Sequence, residues 1–151
     1  MSDTIYKIIP ENYNFFPSGT RCIDEAVKLL KGNIHSDSIS WTSFENPTFI
    51  DCGNCFDSVS CPFCGKEISD DVWQEMMNQC FESSRFNDIE VSVDCCNRET
   101  SLNDLNYNMD CGFAKFAINI LNPVKPPCEH DLREVGTCLG NIRLKIIVSR
   151  Y

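Results

Sequence analysis

Two cysteines stand three positions apart in the motif Cys61-Pro62-Phe63-Cys64-Gly65, whose proline and glycine favour a tight turn. An adjacent pair, Cys95-Cys96, follows an alternating apolar run further along the chain. Two such pairs can surround one metal ion with four sulfur ligands, which is the tetrahedral set that structural zinc sites use. We therefore predict one structural Zn²⁺ bound by these four thiolates: Cys61, Cys64, Cys95 and Cys96.

The ligand set has alternatives, because neighbouring residues at the end of a strand point to opposite faces. Both thiols of the Cys95-Cys96 pair reach one ion only if the backbone turns there, and Asn97 tolerates the left-handed conformation that such a turn needs. Cys111, which precedes a glycine, could supply the fourth thiolate instead. A second C-x-x-C motif, Cys52-Gly53-Asn54-Cys55, could form a compact four-cysteine clip with the first one.

The sequence Cys61-Pro62-Phe63-Cys64 also resembles the redox turn of glutaredoxin-like proteins. In that turn a helix N-terminus lowers the pKa of the first thiol and makes it a nucleophile. Here the residues from Gly65 to Ile68 separate the motif from the predicted helix cap at Ser69, which moves the helix dipole away from Cys61. A thiol–disulfide redox protein using Cys61 and Cys64 is therefore the alternative to the zinc protein.

The remaining residues capable of chemistry favour structural roles. Four other cysteines lie on apolar helix faces or beside prolines, where free thiols pack as small hydrophobic groups: Cys22, Cys80, Cys128 and Cys138. The two histidines, His35 and His130, belong to no metal-spacing motif. The chain has no Gly-x-Ser-x-Gly turn and no phosphate-binding glycine loop, so no motif in it points to an enzyme.

Composition and charge indicate an acidic globular protein. A length of 151 residues suits one domain, and 42% hydrophobic with 23% charged residues is ordinary for a folded chain. The net charge of −9 argues against nucleic acid as a ligand, because Lys and Arg supply most of the affinity for phosphates. The same charge favours a basic protein partner.

Cysteine usage and the N-terminus indicate a cytoplasmic location. The N-terminus lacks the regions of a signal peptide, and no stretch approaches the roughly 18 apolar residues of a membrane span. We therefore expect a cytoplasmic protein with no membrane partner. An odd count of 11 cysteines in a reducing compartment favours metal ligands and buried thiols over a disulfide framework.

Hydrophobic periodicity and turn residues predict the elements that must position the cysteines. The predicted strands are 4–9, 38–44, 48–52, 56–60, 89–95 and 142–148, and the predicted helices are 20–31, 70–84, 113–121 and 131–139, with a capped helical turn at 101–104. Ser69 is predicted to cap the second helix. Asp131 in the cap with Glu134 three residues later has the spacing of a capping box.

The two ends of the chain then read β-α-β-β and α-β, which is the order of a split-βαβ sheet. We predict an α+β fold in which residues 1–151 form a single domain. Residues 61–121 are predicted to be a zinc-ribbon-like, metal-bearing insertion that carries its own helices.

Several motifs, the first cysteine turn among them, resemble those of a family of small uncharacterised bacterial proteins. That family has a CPxCG turn, a CC pair, a TSLNDL-x-Y stretch, a GFA-x-F helix and a C-terminal tyrosine. The matching segments are Val59–Gly65, Asp94–Asn97, Thr100–Tyr107, Gly112–Phe116 and Tyr151. The resemblance spans Asp51 to Tyr151 and implies that the family's metal turn and CC pair correspond to the four cysteines named first.

The resemblance brings no established activity, so the function prediction rests on the residues. We predict a cytosolic protein with a structural zinc ion that binds another protein, in the manner of an inhibitor or immunity-like module.

Overall fold

The computed structural model describes residues 2–54 and 57–151. Within these ranges the elements follow one another in the order β1 (Thr4–Pro10), α1 (Arg21–Asn33), β2 (Ser38–Ile50), β3 (Val59–Ser60), β4 (Glu67–Ile68), α2 (Asp70–Ser84), β5 (Glu90–Val93), β6 (Arg98–Ser101), β7 (Asn106–Tyr107), β8 (Gly112–Leu121), α3 (Glu129–Cys138) and β9 (Leu144–Arg150). None of the helices in this part of the chain is long and apolar enough to cross a membrane.

Four strands form an antiparallel central sheet in the order β2-β8-β1-β9. Helices α1 and α3 pack on one face of this sheet, since buried residues of both helices share a hydrophobic cluster with three of its strands. The sequence of elements around the sheet is β1-α1-β2 followed by β8-α3-β9. This order confirms the predicted α+β fold with a split-βαβ sheet.

The core between the two helices and the central sheet, called the helix-covered core below, is built on the helical spacing of apolar residues. In α1, the buried side chains Ile23, Ala26, Val27 and Leu30 recur every three or four residues and therefore share one face. They pack against sheet residues that include Ile118 and Phe116, each of which is fully buried.

The predicted helix at 113–121 is wrong, because Gly112–Leu121 is the strand β8. The strand lies between β1 and β2 and is buried on both faces, so it reads as a nearly continuous apolar run. Such a run matches a helical stripe by chance, and periodicity alone does not separate the two structures. Residues 112–121, which fall within the predicted insertion, therefore belong to the central sheet.

Three other boundaries differ from prediction for local reasons. The predicted strands 38–44 and 48–52 form the single strand β2, whose pairing register with β8 shifts between Ser43 and Thr48 around Pro47. A bulge tolerates a proline that cannot donate to the ladder. The predicted strand 56–60 is seen as Val59–Ser60, and its first residue lies outside the described residues. Residues 101–104 end β6 and form a turn closed by the bond from Asp104 N to Ser101 O (3.0 Å).

The capping box of α3 exists but is shifted by three residues. Cys128, not Asp131, precedes the first helical residue. The Asp131 carboxylate accepts a hydrogen bond from the Cys128 backbone N–H at 2.9 Å, so Asp131 fills the third helical position of the box. Pro126 and Pro127 cannot continue a helix, which explains why the cap falls directly after them.

The cysteine-bearing segment lies between β2 and β8 and has its own small core. Helix α2 begins as predicted, with the Ser69 hydroxyl accepting from Val72 N at 3.4 Å. Its buried face contributes Trp73 and Met77 to a cluster that also contains Phe113 of β8. Because β8 belongs to the central sheet, this contact makes the segment part of the same packed body.

Replacing Gly136 with alanine is expected to destabilise the protein, although alanine normally stabilises a helix interior by about 1 kcal/mol relative to glycine. A Cβ added at Gly136 in α3 would lie 2.6 Å from the backbone oxygen of Ile142. That distance is too short for a carbon and an oxygen that are not bonded, so the backbone must shift. We expect a loss of about 1–3 kcal/mol in the free energy of unfolding, measured by urea denaturation.

Gly32 in α1 provides the matched control, because a Cβ added there meets no atom of the described residues within 4 Å. Gly32→Ala is expected to raise the free energy of unfolding by about 0.5–1 kcal/mol. A shift of the same sign in both variants would contradict the close approach at Gly136.

Candidate metal centre

The first cysteine turn connects β3 to β4, which pair as a short hairpin. The turn is closed by a bond from Cys61 N to Lys66 O (2.8 Å) and another from Gly65 N to Cys61 O (2.9 Å). Gly65 has φ +78°, a left-handed conformation that glycine adopts without steric cost. The glycine after the second cysteine therefore lets the chain reverse while both thiols stay on one side.

The second cysteine turn connects β5 to β6 immediately after the pair Val93↔Arg98. Asn97 has φ 50°, so it adopts the left-handed conformation predicted for it. The backbone therefore turns at the Cys95-Cys96 pair, and neighbouring thiols that would diverge in a continuous strand reach the same place.

The two turns meet, and their four sulfurs all lie within 4.8 Å of one another: Cys61, Cys64, Cys95 and Cys96. Across the turns, Cys61 Sγ is 3.9 Å from Cys96 Sγ, and Cys64 Sγ is 3.5 Å from Cys95 Sγ. A zinc–sulfur bond of about 2.3 Å gives a tetrahedron whose sulfurs are about 3.8 Å apart. A disulfide would need about 2.05 Å. The sulfur spacing therefore fits a tetrahedral thiolate site and not a covalent bridge.

Hydrogen bonding differentiates the thiols before any metal binds. Burial acts to raise the pKa of Cys61, but backbone N–H groups of Cys64 and Phe63 and the neighbouring thiols outweigh it and lower the pKa to about 7. Hydrogen bonding to Cys64, together with burial, raises the pKa of Cys96 to about 12. One thiolate is thus stabilised by donors around it, and a bound cation would displace the protons that the other thiols hold.

An aromatic contact joins the two turns beside the sulfurs. The Arg98 guanidinium lies 4.0 Å from the centre of the Phe63 ring, and Phe63 stands between the two cysteines of the first turn. This cation–π contact links the first cysteine turn to the strand that follows the second turn. Sequence reasoning missed Arg98, and its position directly after the second turn would have been the only signal.

The alternative ligands lie elsewhere. Cys111 is buried, its carbonyl accepts from Lys145 Nζ at 2.9 Å, and burial raises the pKa of its thiol to about 12. Cys52 is buried in an apolar cluster with Ile9 and Ile147. Neither belongs to the sulfur group that the described residues form. Cys55, the remaining member of the compact clip, lies outside the described residues.

The other cysteines divide between packing and the surface. Cys80 is buried in the core of the cysteine-bearing segment, and Cys22 and Cys138 are partly buried against the helix-covered core, as predicted. The packing prediction is wrong for Cys128, which is exposed at the start of α3.

The fold and site together define an α+β protein with a four-cysteine cluster that can hold one metal ion. The chain matches none of the protein-family models, curated proteins or solved structures with which it was compared. The resemblance to the bacterial family with the CPxCG turn stays a prediction from its motifs.

Proposed function

We propose that this chain is a protein-binding module whose fold depends on one structural Zn²⁺ held by Cys61, Cys64, Cys95 and Cys96. The observation that carries the proposal is the approach of four sulfurs, two from each of two hairpin turns, at the spacing of a thiolate tetrahedron. Tetrahedral sulfur sites are typical of zinc or iron–sulfur centres, and a single mononuclear site of this kind suits zinc.

The ligand set supports a structural role for the ion. Catalytic zinc keeps one coordination position for water or substrate, whereas four protein thiolates fill every position. A metal at this site would link the β3–β4 and β5–β6 hairpins, which do not pair with each other as strands. The two hairpin turns supplying two thiolates each support the prediction of a zinc-ribbon-like segment.

Charge supports a protein partner. If the ion is structural, the protein surface must recognise the partner. A net charge of −9 on 151 residues favours a basic partner. An inhibitor or immunity-like module that covers a basic surface of another protein in the cytoplasm fits this composition.

The geometry favours this proposal over a thiol–disulfide redox protein. Cys61, which would be the attacking thiol, is only 1% exposed, whereas redox thiols need access to their substrate. After Gly65 the chain enters the strand β4 before α2 begins at Asp70, so the motif does not lead directly into the N-terminus of that helix.

Elemental analysis of protein purified without chelator tests the proposal. We expect about one zinc per chain, with four thiols that react with a thiol reagent only after a chelator is added. Iron in place of zinc would overturn the assignment of the metal. Protein without metal, carrying a reducible Cys61–Cys64 disulfide, would overturn the proposal and favour the redox alternative.

A further inference from the structure

A groove of about 1160 Å³ separates helix α2 from the β5–β6 hairpin. Its walls come from the cysteine-bearing segment, and the lining residues Asp94 and Glu99 of the hairpin lie on either side of the turn that carries the cysteine pair. The groove is therefore bounded by the hairpin that the proposed metal would hold in place.

Carboxylates dominate both walls of the groove. Helix α2 contributes Asp71, Glu75 and Glu82. The opposite wall adds four more carboxylates: Asp88, Glu90, Asp94 and Glu99. In the part of the chain that the structure describes, no lysine, arginine or histidine lines the groove. Seven like charges around one cavity without a cation make a negative potential that attracts a positively charged ligand.

Apolar side chains lie between these charges. Val72 of α2 is 46% exposed, and the partly buried side chains of Met76 and Val91 face the same groove. A small inorganic cation gains no binding free energy from such apolar contacts. A peptide with both cationic and apolar side chains gains binding free energy by burying its apolar surface against them.

One wall of the groove presents a strand edge. Strand β5 pairs with β6, and its other edge has no strand partner among the described residues. The Glu90 carbonyl of that edge accepts a weak bond from the Cys80 thiol of α2 at 3.8 Å, so the helix packs directly against the edge at this point. A peptide in the groove would therefore contact the side chains of the two walls and would not pair with β5 as a strand.

The length of the groove sets the size of the peptide. Its helical wall runs from Asp71 to Ser83, which is about 18 Å at 1.5 Å per residue. An extended chain of about five or six residues covers that distance.

We propose that this groove binds an extended segment of another protein in which lysine or arginine alternates with apolar residues. The cations of the segment meet the carboxylates of both walls, and its apolar side chains contact Val72 and Met76. This inference rests on the proposed function and names the chemistry of the partner and the surface that receives it.

Fluorescence anisotropy with a labelled peptide of about six residues, lysine alternating with valine, tests the inference. We expect saturable binding that weakens as salt rises, because the attraction is largely between charges. The double variant Glu75→Lys, Glu99→Lys reverses one charge on each wall and is expected to weaken binding by about tenfold or more. The same peptide with serine in place of valine, which lacks the apolar contacts to Val72 and Met76, is expected to bind about tenfold less tightly.

A matched double variant, Glu11→Lys and Glu25→Lys, changes the net charge equally at exposed residues outside the groove. Near physiological salt it is expected to change the affinity by less than about twofold, since charges further than about 8 Å are screened. Equal loss in both double variants, or full binding of the lysine–serine peptide, would overturn the inference.

Zinc content measured on the same samples separates the two proposals. Zinc-loaded, folded protein that fails to bind the lysine–valine peptide overturns the groove assignment and leaves the structural zinc site standing. Metal-free protein that binds the peptide supports the groove and overturns the zinc site, and metal-free protein that does not bind overturns both.

Discussion

Cys61→Ser is expected to abolish zinc binding and to unfold the segment from β3 to β7. The substitution removes one of four thiolates, and a serine hydroxyl is a poor replacement for a soft sulfur ligand. Zinc binding supplies apparent free energies of about 10–16 kcal/mol in short zinc modules, which exceeds what a small core provides. Cys61 is also 1% exposed within that core, so its side chain serves both the site and the packing.

The two tryptophans allow the two parts of the fold to be observed separately. Trp73 belongs to the core of the cysteine-bearing segment, whereas Trp41 packs against the helix-covered core. In a Trp41→Phe background, Cys61→Ser is expected to shift the Trp73 emission to the wavelength of the unfolded protein. Adding a chelator to the protein that retains Cys61 should produce the same shift.

Cys128→Ser is the matched control for Cys61→Ser. Cys128 is exposed and lies outside the sulfur cluster, and serine is a favourable residue at a helix N-cap. Its zinc content and Trp73 emission should equal those of the unsubstituted protein. A folded Cys61→Ser protein with full zinc content would contradict the assigned ligand set, and a folded but redox-inactive one would favour the alternative.

Phe113→Ala is expected to lower the free energy of unfolding by about 3–5 kcal/mol, the range for deleting a buried phenylalanine ring. Phe113 is 1% exposed on β8, and its ring centre lies 5.4 Å from that of Phe49 and 5.2 Å from that of Phe86. The contact with Phe86 connects the central sheet with the cysteine-bearing segment. The cavity would therefore weaken the junction between them as well as the local packing.

Urea denaturation followed by tryptophan fluorescence measures this effect. Phe81→Ala removes the same ring from a position that is 45% exposed and should cost about 1 kcal/mol or less. If Phe113→Ala cost no more than Phe81→Ala, the junction through Phe113 would be wrong.

Local chemistry explains the parts of the fold that could be predicted. Helix α2 has a serine cap, acidic residues in its first turn and an apolar face at helical spacing, so every signal needed lies within its own residues. Strand β5 alternates apolar and polar residues because one of its faces is buried. The helix prediction fails for strand β8, because a strand buried on both faces loses that alternation. The position of β8 between β1 and β2 depends on residues far away in the chain.

The candidate site likewise has features set by neighbouring residues and features set by long-range packing. Gly65 and Asn97 mark the two turns because left-handed backbone is a local requirement that few residue types meet, and the thiol spacing within each turn is visible in the sequence. Which pairs of thiols meet depends on the packing of α2 and β5 around Val93 and Trp73, which brings one hairpin turn against the other. Likewise, carboxylates scattered from Asp71 to Glu99 become the walls of one groove only after α2 and β5 lie side by side. Turn conformation is governed by neighbouring residues, whereas distances between hairpins are set by long-range burial of apolar surface.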